Sequence, residues 1–80
     1  MTYELIRNLI NQNITNDIEY SNTDSLFDKG ILNSIRILQL ILHMEKAFNI
    51  KINQFDMDLE DFETVECIYK FLLTVKNKKG

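Results

Sequence analysis

The chain has 80 residues, of which 45% are hydrophobic and 26% are charged, and its net charge is −3. A chain of this length forms one small domain, here taken as residues 1–80, and hides only about 60% of the surface that its unfolded form exposes. Little room remains for an enclosed active site beside the core. Lys76, Lys78 and Lys79 cluster at the end of the chain. They predict a frayed, solubilising end, whereas nucleic-acid binding requires a basic stripe on a folded face.

The single cysteine, Cys67, excludes an internal disulfide framework and is typical of a protein in a reducing compartment. The longest apolar stretch, residues 37–44, is interrupted by Gln39 and His43 and is too short for a membrane span. No basic flank with an apolar leader is visible at Met1. We therefore expect a cytoplasmic protein with no membrane span.

Three segments carry helical periodicity, and the chain has no proline and only two glycines, so an all-α fold is predicted. The first helix is expected over residues 2–13 with Thr2 as its N-cap. The second is expected over residues 34–48, where a wide apolar arc predicts a central helix touched by several others. The third is expected over residues 64–75 with Thr64 as its cap. On the first helix, one side carries Leu5, Ile6, Leu9 and Ile10. On the second, a stripe is formed by Ile37, Ile41, Met44 and Phe48, with Leu38 and Leu42 beside it. On the third, the inward residues are Val65, Ile68, Leu72 and Val75.

The connections between the helices also carry a pattern. Residues 59–62 predict a single helical turn. The connection over residues 14–33 is unusually long for a compact domain. It contains enough apolar residues to predict an ordered crossover attached to the core, namely Ile18, Tyr20, Leu26, Phe27, Ile31 and Leu32.

The stretch before the second helix has two interpretations. Asn33 and Ser34 are both favoured N-cap residues after a turn at Gly30, so a well-capped helix is a complete explanation by itself. A serine hydroxyl at an exposed helix N-terminus also suits attachment of a phosphate group, because free N–H groups and the helix dipole stabilise negative charge there.

The run Leu26-Phe27-x-x-Gly30-x-Leu32-Asn33-Ser34-Ile35 resembles the phosphopantetheine attachment motif of acyl, peptidyl and D-alanyl carrier proteins. Residues 45–52 resemble the end of that family's second helix, and residues 61–68 resemble its short third helix and the start of the fourth. The resemblance covers nearly the whole chain. It implies a four-helix bundle of acyl-carrier-protein type, with a long loop between helices 1 and 2 and a short helix 3.

The resemblance also implies a function without catalysis by this chain. A phosphopantetheinyl transferase moves 4'-phosphopantetheine from coenzyme A onto Ser34, and the thiol of the arm carries an acyl or aminoacyl group as a thioester. An adenylating ligase, or an acyltransferase or synthase, would be the other partner of a monomeric carrier. Asn33 departs from the family, which usually has aspartate there and is thought to use it in holding the transferase's magnesium ion.

The second helix is also the predicted partner-binding element, through Ile35, Arg36, Gln39 and Leu42. Its expected exposed residues form a near-neutral set: Arg36, Gln39, His43, Glu45 and Lys46. Six of the twelve acidic residues lie instead between Asp56 and Glu66. Salt-dependent attraction to partners is therefore predicted to come from this acidic segment, around the single helical turn expected over residues 59–62.

The cargo and several alternatives remain open from the sequence. Gly30-Ile31-Leu32 resembles D-alanyl carriers and other free-standing carriers served by adenylating enzymes, which favours a small acid over the alternative of a fatty-acyl or polyketide cargo. A carrier-like helical module without the arm is the other alternative. Cys67 is predicted to pack in the core or at its boundary and not to act as a nucleophile. Residues 56–60 resemble a calcium loop only faintly, so no metal site is predicted.

Overall fold

The computed structural model describes residues 2–77, with side chains as far as Val75, and the predicted lysine cluster therefore lies outside the described side chains. Within residues 2–77 there is no strand, which confirms the all-α prediction. The elements are α1 (Tyr3–Asn13), α2 (Ser34–Phe48), a first 3-10 helix (Gln54–Asp56), a second 3-10 helix (Leu59–Phe62) and α3 (Val65–Asn77). The described part thus has three α-helices, and a four-residue 3-10 helix occupies the place of the expected third of four. No helix in it is long and apolar enough to cross a membrane.

Each α-helix begins at a side-chain cap that the sequence predicted. The Thr2 hydroxyl accepts a hydrogen bond from the Leu5 N–H at 3.2 Å, and the Thr64 hydroxyl accepts one from the Cys67 N–H at 2.9 Å. Asn33 caps α2 in the same way. At its other end, α2 stops at Asn49, whose left-handed backbone (φ 54°) is tolerated well by asparagine.

The core lies between α1, α2, α3 and the second 3-10 helix. α1 packs closely against both α2 and α3, and α3 packs against the second 3-10 helix. Among the helices of the described part, only α1 packs closely against α2, so the several close helix neighbours predicted for α2 are not found there. The rings of Tyr3 and Tyr69 meet edge to face at 4.6 Å across the α1–α3 contact. The fully buried helical residues are Ile6, Ile10, Ile37, Leu40, Ile41, Met44, Val65, Ile68 and Leu72.

The inward positions were predicted well on α3 and less well on α1 and α2. Leu40 and Phe71 are buried without having been singled out, whereas Leu38 and Leu42, expected beside the buried stripe, are 45% and 61% exposed. Leu5 is also exposed. The apolar arc of α2 is wider than the surface that its neighbours cover.

The connection between α1 and α2 is an ordered crossover, as predicted. Most of its predicted anchors are buried or partly buried, but Ile18 is exposed, which corrects that one position. Arg7 of α1 holds the first half of the crossover: its guanidinium stacks over the Tyr20 ring at 4.5 Å and donates a hydrogen bond to Asn22 Oδ1 at 3.1 Å. The Glu66 N–H donates to the Asn22 carbonyl at 3.0 Å, so the crossover is also joined to α3.

Candidate functional site

Ser34 is the first residue of α2, and its side chain is exposed. The turn that leads to it is held by backbone hydrogen bonds: the N–H groups of Ile31 and Leu32 both donate to the Leu26 carbonyl, at 2.9 and 3.1 Å. Gly30 lies in the left-handed region (φ 73°), where an L side chain is strained even though a Cβ at this position would have no neighbour within 4 Å. Because Leu26, Ile31 and Leu32 are buried, the turn is fixed to the core while Ser34 faces outward.

Asn33 joins this turn to the helix. Its side-chain Oδ1 accepts the Arg36 N–H at 2.9 Å, and its carbonyl accepts the Ile37 N–H at 2.9 Å. The N–H groups of Ser34 and Ile35, in the first turn, have no acceptor within the helix. An exposed hydroxyl beside free N–H groups at the positive end of a helix dipole fits a phosphodiester attached to Ser34.

Arg36 is half-buried and already engaged within the chain. One terminal nitrogen of its guanidinium donates to the Gly30 carbonyl at 3.3 Å and to the Ile31 carbonyl at 3.2 Å. The sequence placed Arg36 among the exposed residues of α2 and gave no signal of this contact. Arg36 is thus part of the turn that displays Ser34, and its role as a partner contact stays a prediction.

The outward face of α2 begins beside Ser34 and is mainly apolar. Ile35, Leu38 and Leu42 recur at helical spacing and are 70%, 45% and 61% exposed. Gln39 and Lys46 are exposed on the same face. The sequence pattern placed Leu38 beside the apolar stripe of α2 and gave no signal that it would be exposed.

Two residues that were predicted to be exposed on α2 lie at its edges instead. His43 and Glu45 are half-buried, and Glu45 Oε2 accepts the Ile52 N–H at 2.8 Å. This bond holds the chain after α2 against the helix. The sequence predicted a near-neutral exposed set that included Glu45, and the structure moves Glu45 away from the fully exposed residues of that set.

The remaining candidate groups form no second reactive site in the described part of the chain. Cys67 is half-buried in the first turn of α3. No group of three or more histidine, cysteine or acidic residues could hold a metal ion there. The Asp58 and Asp61 side chains instead form a capping box at the second 3-10 helix, each accepting from the other's backbone N–H.

An open polar cleft of about 570 Å³ lies between α1 and the crossover, and none of the predicted site residues lines it. Its polar groups bind one another: the Tyr20 hydroxyl donates to Asn11 Oδ1 at 2.9 Å, and Lys29 Nζ lies 3.5 Å from the Asp24 carboxylate. Burial raises the pKa of Tyr20, and the nearby Arg7 guanidinium offsets part of that rise. Polar side chains that line the cleft thus help to hold the crossover together and against α1.

These features define a class of protein: a small helical domain that displays one serine at a helix start, suited to bearing a covalently attached phosphate group. Residues 4–72 match the family model described as "Phosphopantetheine attachment site". The chain belongs to that family, whose cofactor is a covalently bound 4'-phosphopantetheine.

Similar proteins include D-alanyl carrier proteins. That of Lactococcus lactis subsp. lactis (strain IL1403) is 41% identical over 54 residues, which cover 68% of this chain and 65% of the relative, just under two thirds of its length. That of Streptococcus suis (strain 05ZYH33) is 32% identical over 65 residues, covering 81% and 82%.

A solved structure is similar in both fold and sequence. It is the crystal structure of Bradyrhizobium japonicum glycine:[carrier protein] ligase complexed with its cognate carrier protein and an analogue of glycyl adenylate. The matching chain has a TM-score of 0.67 and is 26% identical, covering 90% of this chain and 91% of that one. A second structure of that ligase, with glycylated carrier protein, matches with a TM-score of 0.63.

Proposed function

We propose that Ser34 is the attachment residue, and that the chain is a carrier for an amino acid or another small acid that a separate ligase activates as an adenylate. The observation that carries this proposal is the position of Ser34. It occupies the serine of the attachment motif, is exposed, and is the first residue of α2 after a turn fixed to the core. Within residues 2–77, no other serine lies at the start of an α-helix.

The chain itself supplies an anchor and a surface. A phosphopantetheinyl transferase would form a phosphodiester at the Ser34 hydroxyl, releasing the nucleotide half of coenzyme A. When bound, the group supplies a terminal thiol that holds the acid as a thioester. Asn33 orders the first turn of α2, and the free N–H groups there stabilise the phosphodiester charge. The domain, residues 1–80, acts as a single non-catalytic monomer.

The docking surface that we propose for the ligase is the outward face of α2. Ile35, Gln39 and Leu42 were predicted as partner contacts and are exposed, and Leu38 extends the same face. Apolar side chains that flank the attachment residue favour contacts through shape and burial over charge. The Bradyrhizobium japonicum carrier, which shares this fold, is seen with its glycine ligase, and this supports a ligase of the same type as partner here.

Three observations support a small cargo. The relatives are named D-alanyl carrier proteins, and the structural neighbour carries glycine. The Gly30-Ile31-Leu32 run resembles the same carriers. The interior is filled by fully buried side chains such as Met44 and Leu72, so a long acyl chain would have to displace them.

The test is an intact-mass measurement. The purified chain is incubated with coenzyme A and a broad-specificity transferase, and the mass of one phosphopantetheine should be added. Ser34→Ala should abolish the addition, whereas Ser21→Ala, which removes an exposed serine of the crossover, should leave it unchanged. A wild-type chain that stays unmodified while a control carrier is modified would favour the alternative of a helical module without the arm.

A further inference from the structure

We propose that Arg36 is a positioning residue for the modification of Ser34. Its guanidinium ties the turn at Gly30 and Ile31 to the first turn of α2, so that the hydroxyl is held in place before the transferase arrives. This inference rests on the proposed function, since it assigns a role in the reaction at Ser34.

Arg36 makes two kinds of contact with the segment that precedes Ser34. Its backbone N–H donates to Asn33 Oδ1 at 2.9 Å, and its side chain donates to the Gly30 and Ile31 carbonyls at 3.3 and 3.2 Å. Residues 30–36 thus form a loop closed by one side chain. Ser34 lies within that loop, and a displacement of its backbone must strain or break one of these contacts.

The turn has a specific need for this contact. Gly30 brings backbone freedom, and the N–H groups of Ile31 and Leu32 share one acceptor, the Leu26 carbonyl. The two hydrogens of one guanidinium nitrogen suit two neighbouring carbonyl oxygens, and a charged donor makes the stronger hydrogen bond. Arg36 therefore restrains the turn where the flexible Gly30 backbone and one shared acceptor would leave it weakly held.

The first experiment measures amide hydrogen exchange by NMR in the unmodified protein. Arg36→Ala should make the amides of Ile31 and Leu32 exchange about fivefold faster, because the guanidinium hydrogen bonds to the Gly30 and Ile31 carbonyls are lost. The amide of Ile68, in the core of α3, should keep its rate. Lys51→Ala is the matched control, because it removes an exposed cation that lies outside both α2 and the turn before Ser34. Equal exchange at Ile31 and Leu32 in wild type and Arg36→Ala would overturn the proposal.

The second experiment measures the kinetics of transferase modification for the same proteins. Arg36→Ala should lower kcat/KM about fivefold, in step with the loosened turn, and Lys51→Ala should leave it unchanged. Arg36→Lys keeps the charge but loses the planar group, so it should recover both properties only in part. If Arg36→Lys recovered the full kcat/KM without recovering slow exchange, the result would show that Arg36 contacts the transferase directly, and it would overturn the positioning role.

The two proposals fail in different ways. A wild-type chain that is never modified would overturn the proposed function itself. A wild-type chain that is modified, with unchanged kcat/KM in Arg36→Ala, would overturn only the role given to Arg36.

Discussion

The backbone N–H of Leu26 donates a hydrogen bond of 2.7 Å to the carbonyl of Glu63, at the end of the second 3-10 helix. The Glu63 carboxylate also accepts a hydrogen bond from the Ser25 hydroxyl. Since the Leu26 carbonyl in turn receives the N–H groups of Ile31 and Leu32, the turn before Ser34 is joined to the segment before α3. The position of Ser34, the proposed attachment residue, therefore depends on residues far away in sequence.

The Ser25–Glu63 side-chain pair should stabilise the fold measurably. We expect Ser25→Ala and Glu63→Ala each to lower the free energy of unfolding, with a coupling energy of about 1 kcal/mol between them, because the bond is partly buried and its acceptor is charged. Urea unfolding of the two single variants and the double variant gives the coupling energy. A coupling near zero would show that the pair contributes nothing beyond the backbone bond of Leu26.

Asn33→Asp should keep the stability of the chain and speed its modification. Asp preserves an oxygen that can accept the Arg36 N–H, so the free energy of unfolding should change little. The added carboxylate restores the group that the family is thought to use for the transferase's magnesium ion. Modification rates at matched magnesium concentrations test this expectation, with Asn33→Ala, which should cost about 1 kcal/mol, as the capping control. Equal rates for wild type and Asn33→Asp would show that the departure is harmless.

Charge on the segment after α2 should control the rate of association with partners. Glu60 is exposed on the second 3-10 helix, next to the exposed Leu59, and its side chain takes no part in the Asp58–Asp61 capping box. We expect Glu60→Lys to change the association rate with a ligase more than Arg36→Ala does, and more strongly at low salt. Asp58→Lys should add to the effect but also weaken the cap. The opposite ranking, measured by stopped flow at two salt concentrations, would contradict the prediction.

Asp24 should contribute to stability in a defined range of pH. The Ser21 backbone N–H that it accepts lowers the pKa of Asp24 from its ordinary value of 3.8; burial opposes this, and the nearby Lys29 ammonium lowers the pKa further. The folded state thus favours the ionised form, so the contribution is complete above the unfolded pKa and is lost as the pH falls through the lower folded pKa. An NMR titration should give a midpoint below 3.8. Asp24→Asn should flatten the dependence of stability on pH in that range.

If the natural cargo of this carrier is small, a long acyl chain loaded onto the arm should remain outside the core. We expect an octanoyl-loaded protein to show amide shifts confined to the neighbourhood of Ser34, because Leu40, Met44 and Leu72 leave the core filled. Because methionine can repack around a guest, packing alone does not separate the two cargoes, and the amide shifts decide between them. Strong shifts on α2 and α3 together with a gain in thermal stability would favour a fatty-acyl cargo.

The sequence by itself determined the helices and their caps, because these depend on neighbouring residues. Asn33 and Thr64 cap through contacts three residues ahead, and α2 spans the predicted residues 34–48. The same local pattern placed Ser34 at the start of a helix. The proposed attachment residue could therefore be singled out from the sequence alone.

The tertiary structure alone decided which part of each apolar arc is covered. Leu42 is exposed because no neighbouring element within residues 2–77 covers that side of α2, and periodicity cannot tell where a neighbouring helix will pack. Sequence periodicity could not predict the contacts of long side chains either: Arg36 reaches back to Gly30, and Glu45 reaches forward to Ile52. Each contact depends on the path of a loop through space, since a long polar side chain binds whichever backbone group the fold brings within its reach.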